Sequence, residues 1–110
     1  MGFDAFTKIA GYQKYIGKNE YGKEADFDGV WGIWDEPFFQ FFANEMNKMQ
    51  QPFATTIFSV SSHHPYEVPE KYKGKFPEGR LPINKCIHYT DHSLQKFFDL
   101  ARTMLESRRV

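Results

Sequence analysis

Two adjacent imidazoles, His63 and His64, follow the run Phe53-Ala54-Thr55-Thr56-Ile57-Phe58-Ser59-Val60-Ser61-Ser62 and precede Pro65 and Tyr66. An imidazole so placed can donate to an anionic oxygen, shuttle a proton or ligate a metal. The competing reading is one histidine in solvent and one bonded to the backbone. Neighbouring residues on an extended chain point to opposite sides, so at most one of the two faces a given site. His88 and His92 have the i, i+4 spacing of a helical metal pair, with Asp91 between them. The glutamate of an HExxH pattern is absent, and on a helix through this region both histidines lie opposite Leu94 and Phe98, where solvent is the default. The residues therefore favour no metal there, and Asp91 reads as a structural hydrogen-bond partner of a loop backbone.

Trp31-Gly32-Ile33-Trp34 can offer an aromatic platform to a sugar or lipid headgroup, although rings beside a helix start more often pack as a staple into the core. Lys71, Lys73 and Lys75 can attract an anion, but alternating lysines in a polar loop usually stay solvated. Cys86 is a lone cysteine, which excludes an internal disulfide and reads as a packing residue. No GxSxG, P-loop, GxGxxG or carboxylate pair is present. Bottom-up, His63 and His64 form the one anion or metal locus.

The elements that must position these groups follow from spacing. Residues 1–35 carry Gly11, Gly17, Gly22 and Gly29 without a sustained period and read as irregular. Asp35, Glu36 and Pro37 suit a helix start, with Asp35 as the cap, and Phe38, Phe42, Met46 and Met49 recur at helical spacing, which predicts a helix over 36–50. Pro52 stops it, and the β-branched and aromatic run predicts a strand over 52–60, buried on both faces. Pro69, Pro77 and Pro82 break residues 61–82 into a long loop. A second helix is predicted over 83–105, with Ile83, Ile87, Thr90, Leu94, Phe98, Ala101 and Leu105 on one stripe, flanked by Phe97 and Met104. One strand cannot make a sheet, so the expected fold class is α/β in an incomplete form.

Composition narrows the function classes. The 110 residues hold 41% hydrophobic and 25% charged residues, the range of a single globular domain. Lys+Arg 14 balances Asp+Glu 14, which argues against a nucleic-acid footprint. No apolar run reaches the ~20 residues of a membrane span. An aromatic content of 18% exceeds what so small a core needs, so some rings are expected to cover a surface meant for another piece of protein or a ligand.

Four stretches together resemble one family: Gly2–Phe6, Asp26–Phe42, Pro52–Gly74 and Ile87–Ala101. They look like the middle of the extracytoplasmic catalytic domain of lipoteichoic acid synthase-like proteins, the sulfatase and phosphoglycerol transferase branch of the alkaline phosphatase superfamily. The resemblance implies an internal fragment of an α/β/α domain. It also implies a parent that hydrolyses or transfers sulfate, phosphoglycerol or phosphoethanolamine esters of cell-envelope lipids or glycans. In the family's His-x-Pro-aromatic motif, His63 would hydrogen-bond the ester headgroup, and His64 would occupy the variable position.

The family's metal-binding carboxylate, its Thr, Ser or modified Cys nucleophile, and its later Asp-His pair find no match here. No catalytic residue and no metal ligand is therefore expected in this chain. The parent would bind a divalent ion such as manganese, magnesium or calcium and sit in the cytoplasmic membrane through parts absent here, while the fragment itself would be soluble and inactive alone. The competing expectations are a non-catalytic module binding a glycan, a lipid headgroup or a protein, and a truncated remnant that self-associates.

Overall fold

The computed structural model describes residues 2–108. Its helices are α1 (Phe3–Ile9), α2 (Lys18–Tyr21), α3 (Asp35–Lys48) and α4 (Asn84–Arg108), with 3-10 turns at Glu24–Asp26 and Glu70–Tyr72. The packed centre is the α3–α4 pair, with the loop between them folded over the α4 start.

The start of α3 is set by groups remote in sequence. The first N–H groups of a helix lack intrahelical partners. Here the Asp35 N–H donates to Ser61 Oγ (2.9 Å) and the Glu36 N–H donates to the Tyr89 hydroxyl (3.0 Å). Pro37 has no N–H to satisfy, and the Phe38 N–H reaches the Trp34 carbonyl. Asp35 is thus the first helical residue rather than a side-chain cap, and Trp34 before it makes no capping bond. The inward seam of α3 is Asp35, Glu36, Phe39 and Ala43. Phe39 and Phe42 both meet Phe97 of α4, the latter pair stacked at 5.6 Å between centroids.

The α/β expectation is overturned. Among the described residues there is no sheet: the one β pairing is an isolated antiparallel bridge between Phe27 and Ile33. The predicted strand over 52–60 forms no ladder, and it is not buried on both faces, since Phe53 is 41% and Phe58 63% exposed. A strand is defined by neighbours that accept its N–H groups and supply its C=O groups with donors. No described segment lies alongside to do so. Side chains hold the run instead: Tyr12 Oη lies 3.0 Å from Thr56 Oγ1, and the Phe3 and Phe58 rings are 5.3 Å apart.

Two further readings change. Residues 1–35 are not wholly irregular, because α1, α2 and the 3-10 turn at Glu24–Asp26 lie within them. Most of the stripe predicted on α4 is uncovered: Ile87, Leu94, Phe98 and Leu105 face solvent and Ile83, Thr90 and Ala101 are half-buried, while the buried residues of the helix are Cys86, Tyr89 and Ser93. Val68, Cys86 and Tyr89 form a small core, with Trp34, Tyr66, Tyr72 and Phe76 packed around it.

The surface quantifies how much is left uncovered. A 13.0 kDa monomer is expected to expose roughly 6,300 Å², and this chain exposes 8059 Å². Its radius of gyration is 15.4 Å, against about 13 Å for a compact chain of this length. The excess exceeds what one partner contributes to a standard interface, about 800 Å².

Candidate functional site

The histidine loop is held by a buried carboxylate. Asp35, 1% exposed, accepts from the Val60 N–H at 3.0 Å through Oδ1, and from Ser59 Oγ (2.6 Å) and Thr90 Oγ1 (3.0 Å) through Oδ2. Ser62 Oγ then lies 3.2 Å from Thr90 Oγ1, and Ser61 Oγ caps Asp35 itself. Four consecutive residues, 59–62, are therefore tied to the start of α3 and to α4. Bonds to an ionised acceptor are about twice as strong as neutral ones, which suits a carboxylate kept at this junction.

Beyond Ser62 the chain turns. The Tyr66 N–H donates to the His63 carbonyl at 2.9 Å, and Tyr66 takes φ +61°, a left-handed conformation uncommon for a bulky side chain. Its ring packs against the Val68, Cys86 and Tyr89 core, which holds the turn in place. His63 and His64 are both exposed, and their rings go to different neighbours. The His63 ring stacks on Trp31 at 4.8 Å and 30°, whereas the His64 ring meets the edge of Tyr66 at 5.7 Å. Trp31 and His63 also line a cavity of about 30 Å³, together with Trp34, Val60, Ser61 and the carboxylates Asp28 and Glu67.

The aromatic pair near the start of α3 divides its roles. Trp34 is the staple, edge-on to Tyr89 at 6.0 Å, while Trp31 is 42% exposed and carries His63.

The second pair of histidines is not brought together as a site. His88 is exposed, and His92 lies half-buried with its Nε2 2.9 Å from the Tyr72 hydroxyl and 3.4 Å from Glu36 Oε2. Among the described residues no three His, Cys, Asp or Glu side chains converge as a metal group, so His88 and His92 do not fit a divalent ion. Asp91 is exposed and makes no bond to a loop backbone among the described residues; its neighbour Thr90 instead bonds the side chains of Asp35 and Ser62.

Glu36 is the second charged hub. Burial works to raise its carboxyl, but the Tyr72 hydroxyl and the ammonium groups of Lys71 and Lys96 outweigh it and hold the group below the ordinary carboxylate range. Lys96 Nζ lies 3.3 Å and Lys71 Nζ 3.6 Å from Oε1, so Lys71 is an ion-pair partner rather than a free loop cation. Burial, then the Glu36 carboxylate, pushes the Tyr72 phenol up to about 12. This hub fastens the 3-10 turn at Glu70–Tyr72 onto both long helices. Burial also pushes the Cys86 thiol up, and its Sγ sits 3.5 Å from the Glu67 carbonyl, as suits an inert packing residue.

Asp35, Ser59, Ser61, Thr90 and Tyr89 were not singled out as positioning groups by sequence reasoning. Their partners lie 24 to 55 residues apart, as in Ser59–Asp35 and Thr90–Asp35, and no short-range spacing signals that. The remaining signal is an acid at a helix start combined with three serines at the end of an apolar run.

The chemistry available is that of an exposed imidazole on a firmly tied turn, with no activated nucleophile beside it among the described residues. The family model described as Sulfatase matches residues 1–108. Lipoteichoic acid synthase 2 of Bacillus subtilis (strain 168) is 26% identical over 110 residues, covering 94% of this chain and 17% of the relative. Lipoteichoic acid synthase 1 of the same organism is 25% identical over 100 residues, covering 86% and 16%. The chain thus spans about a sixth of the length of these curated relatives. No solved structure matches it.

Proposed function

The chain belongs to the sulfatase family, and from that premise we propose that it forms part of a catalytic domain that hydrolyses or transfers sulfate or phosphate esters of cell-envelope lipids or glycans. The observation that supports this reading most is the exposed His63 ring on a turn tied down by Asp35 and stacked on Trp31. In this reading His63 donates a hydrogen bond to a non-bridging oxygen of the ester headgroup, where negative charge collects. His64, turned to Tyr66, does not take part. The nucleophile and a divalent ion, manganese, magnesium or calcium, come from residues outside these 110. The parent is a membrane-anchored enzyme working on the outer side of the cytoplasmic membrane, and this chain alone is inactive. Among the described residues no helix is long and apolar enough to cross a membrane.

The test compares the 110-residue chain with the product of the whole reading frame around it, each supplied with divalent ions. The substrates are an aryl sulfate and a phosphatidylglycerol-type lipid. Turnover of one class by the longer product only is expected, and the class turned over separates sulfatase from phosphoglycerol transferase. Metal-dependent turnover by the short chain, lost in His63→Ala, contradicts the reading.

A second reading is favoured by the uncovered Leu94 and Phe98 face and the excess surface: the isolated chain covers it with another copy of itself. Melting that depends on concentration supports self-association, and a concentration-independent transition of a monomer contradicts it.

A further inference from the structure

Trp31 has no part in the reading above except as the ring beneath His63, yet its surroundings are built with unusual care for a half-exposed residue. The Asp28 side chain accepts through one oxygen from three successive amides, Val30 (2.8 Å), Trp31 (2.7 Å) and Gly32 (3.1 Å). The Asp28 N–H returns to the Gly32 carbonyl at 2.8 Å, and the Trp34 N–H reaches the Asp26 carbonyl at 2.9 Å. Gly29, at φ +91°, supplies the left-handed residue this tight loop needs. The Phe27 to Ile33 bridge closes its base. A loop so cross-linked holds its tip ring in one place without burying it.

That ring makes two contacts with the histidine turn, of different chemistry. Its face stacks on the His63 imidazole at 4.8 Å, and its Nε1–H donates to the His64 carbonyl at 2.7 Å. The first contact selects the orientation of the His63 ring, and the second fixes the backbone that carries it. The stack leaves the ring edge, where the nitrogens lie, free to point outward. An exposed imidazole otherwise samples several χ1 and χ2 states, and ordering it only when the substrate arrives costs affinity.

We propose that Trp31 is a positioning residue for His63, presenting its imidazole edge to an anionic ester oxygen. The proposal rests on the reading of His63 as the ester-facing donor. Its structural half, however, is measurable without that reading.

The experiment uses the 110-residue chain with labelled histidines, and the product of the whole reading frame. In the short chain, NMR should show His63 ring protons shifted upfield by the indole current, with cross-peaks to Trp31. Trp31→Ala should return them to solvent-exposed values while the Tyr89 resonances stay unchanged. Trp31→Phe, which keeps a face and loses the Nε1 donor, should retain most of the upfield shift. In the longer product, Trp31→Ala should raise KM about tenfold with a smaller change in kcat, and Trp31→Phe should recover most of that loss.

A His63 ring at solvent-exposed shifts in the unmutated chain overturns the proposal. So does a KM that Trp31→Ala leaves unchanged when His63→Ala abolishes turnover. If instead the ring is held by Trp31 but His63→Ala leaves turnover intact, the reading of His63 as ester donor is what fails.

Discussion

Replacement of Asp35 separates a carboxylate that organises the histidine turn from an ordinary helix-start acid. Three donors meet this side chain, the Val60 N–H, Ser59 Oγ and Thr90 Oγ1, at 2.6 to 3.0 Å, and its surroundings exclude water. Hydrogen bonds to a charged acceptor contribute about 1.5–3 kcal/mol each, and coupled bonds do not add fully, so Asp35→Ala should cost roughly 4 kcal/mol. Asn is a milder change. Its Oδ1 can keep the Val60 N–H, and the Ser59 and Thr90 hydroxyls can rotate to accept from Nδ2, so only charge assistance is lost, about 2 kcal/mol. A domain of this length has roughly 5–15 kcal/mol of stability, and one with so much uncovered surface belongs at the lower end. Asp35→Ala should therefore be largely unfolded or close to it, and Asp35→Asn folded with a lower midpoint. Urea titration followed by circular dichroism measures both, and amide shifts of residues 59–63 report the turn directly. An Asp35→Ala midpoint within the error of the unmutated chain, with those amide shifts unmoved, would refute the reasoning, since a surface acid at a helix start is worth only about 0.3–1 kcal/mol.

Other consequences concern the Glu36 hub, the thiol and one glycine. The folded Glu36 carboxyl lies below its ordinary value of 4.5, so the unfolded chain takes up the proton first as pH falls. Stability should be full above that value and decline as the pH drops through and below it, and Glu36→Gln should flatten this acid limb in melts recorded against pH. Tyr72 behaves in the opposite sense: with the folded phenol at about 12 and the ordinary value at 10.0, the unfolded chain loses its proton first, so stability should fall between these values, and Tyr72→Phe should lessen that loss without removing it, since burial pushes the Tyr21 and Tyr89 phenols up as well. Cys86 is fully buried with its thiol pushed up, so alkylation by iodoacetamide should be slow in the native chain and fast in urea. Gly79→Ala should cost about 1–2 kcal/mol by urea titration, because φ is +68° and the new Cβ would lie 1.9 Å from Asn84 Nδ2.

Legibility in the sequence followed the range of the interactions concerned. α3 was readable because its start depends on neighbours: Asp35, Glu36 and Pro37 favour a first turn whatever lies elsewhere. The run over 52–60 has strand composition but no partner to pair with, and composition cannot supply one. In α4 the helical period of Ile87, Leu94, Phe98 and Leu105 was legible, yet a period names a face without saying what covers it. The covered face carries Cys86, Tyr89 and Ser93, less apolar overall, because Tyr89 and Ser93 satisfy their hydroxyls internally. His63 stood out by chemical type. Asp35 and Trp31 stood out in other roles, as a helix cap and an aromatic platform, since Asp35, Thr90 and Trp31 are joined to His63 only by folding.

The most direct test of His63 as the ester-facing donor is turnover by the product of the whole reading frame, compared between His63→Ala and His64→Ala. Loss of one preorganised donor to the oxygen where negative charge collects costs about 10²–10³, so kcat/KM of His63→Ala should fall by that order while His64→Ala stays near the unmutated value. Equal losses in the two variants, or none in His63→Ala, would contradict the assignment.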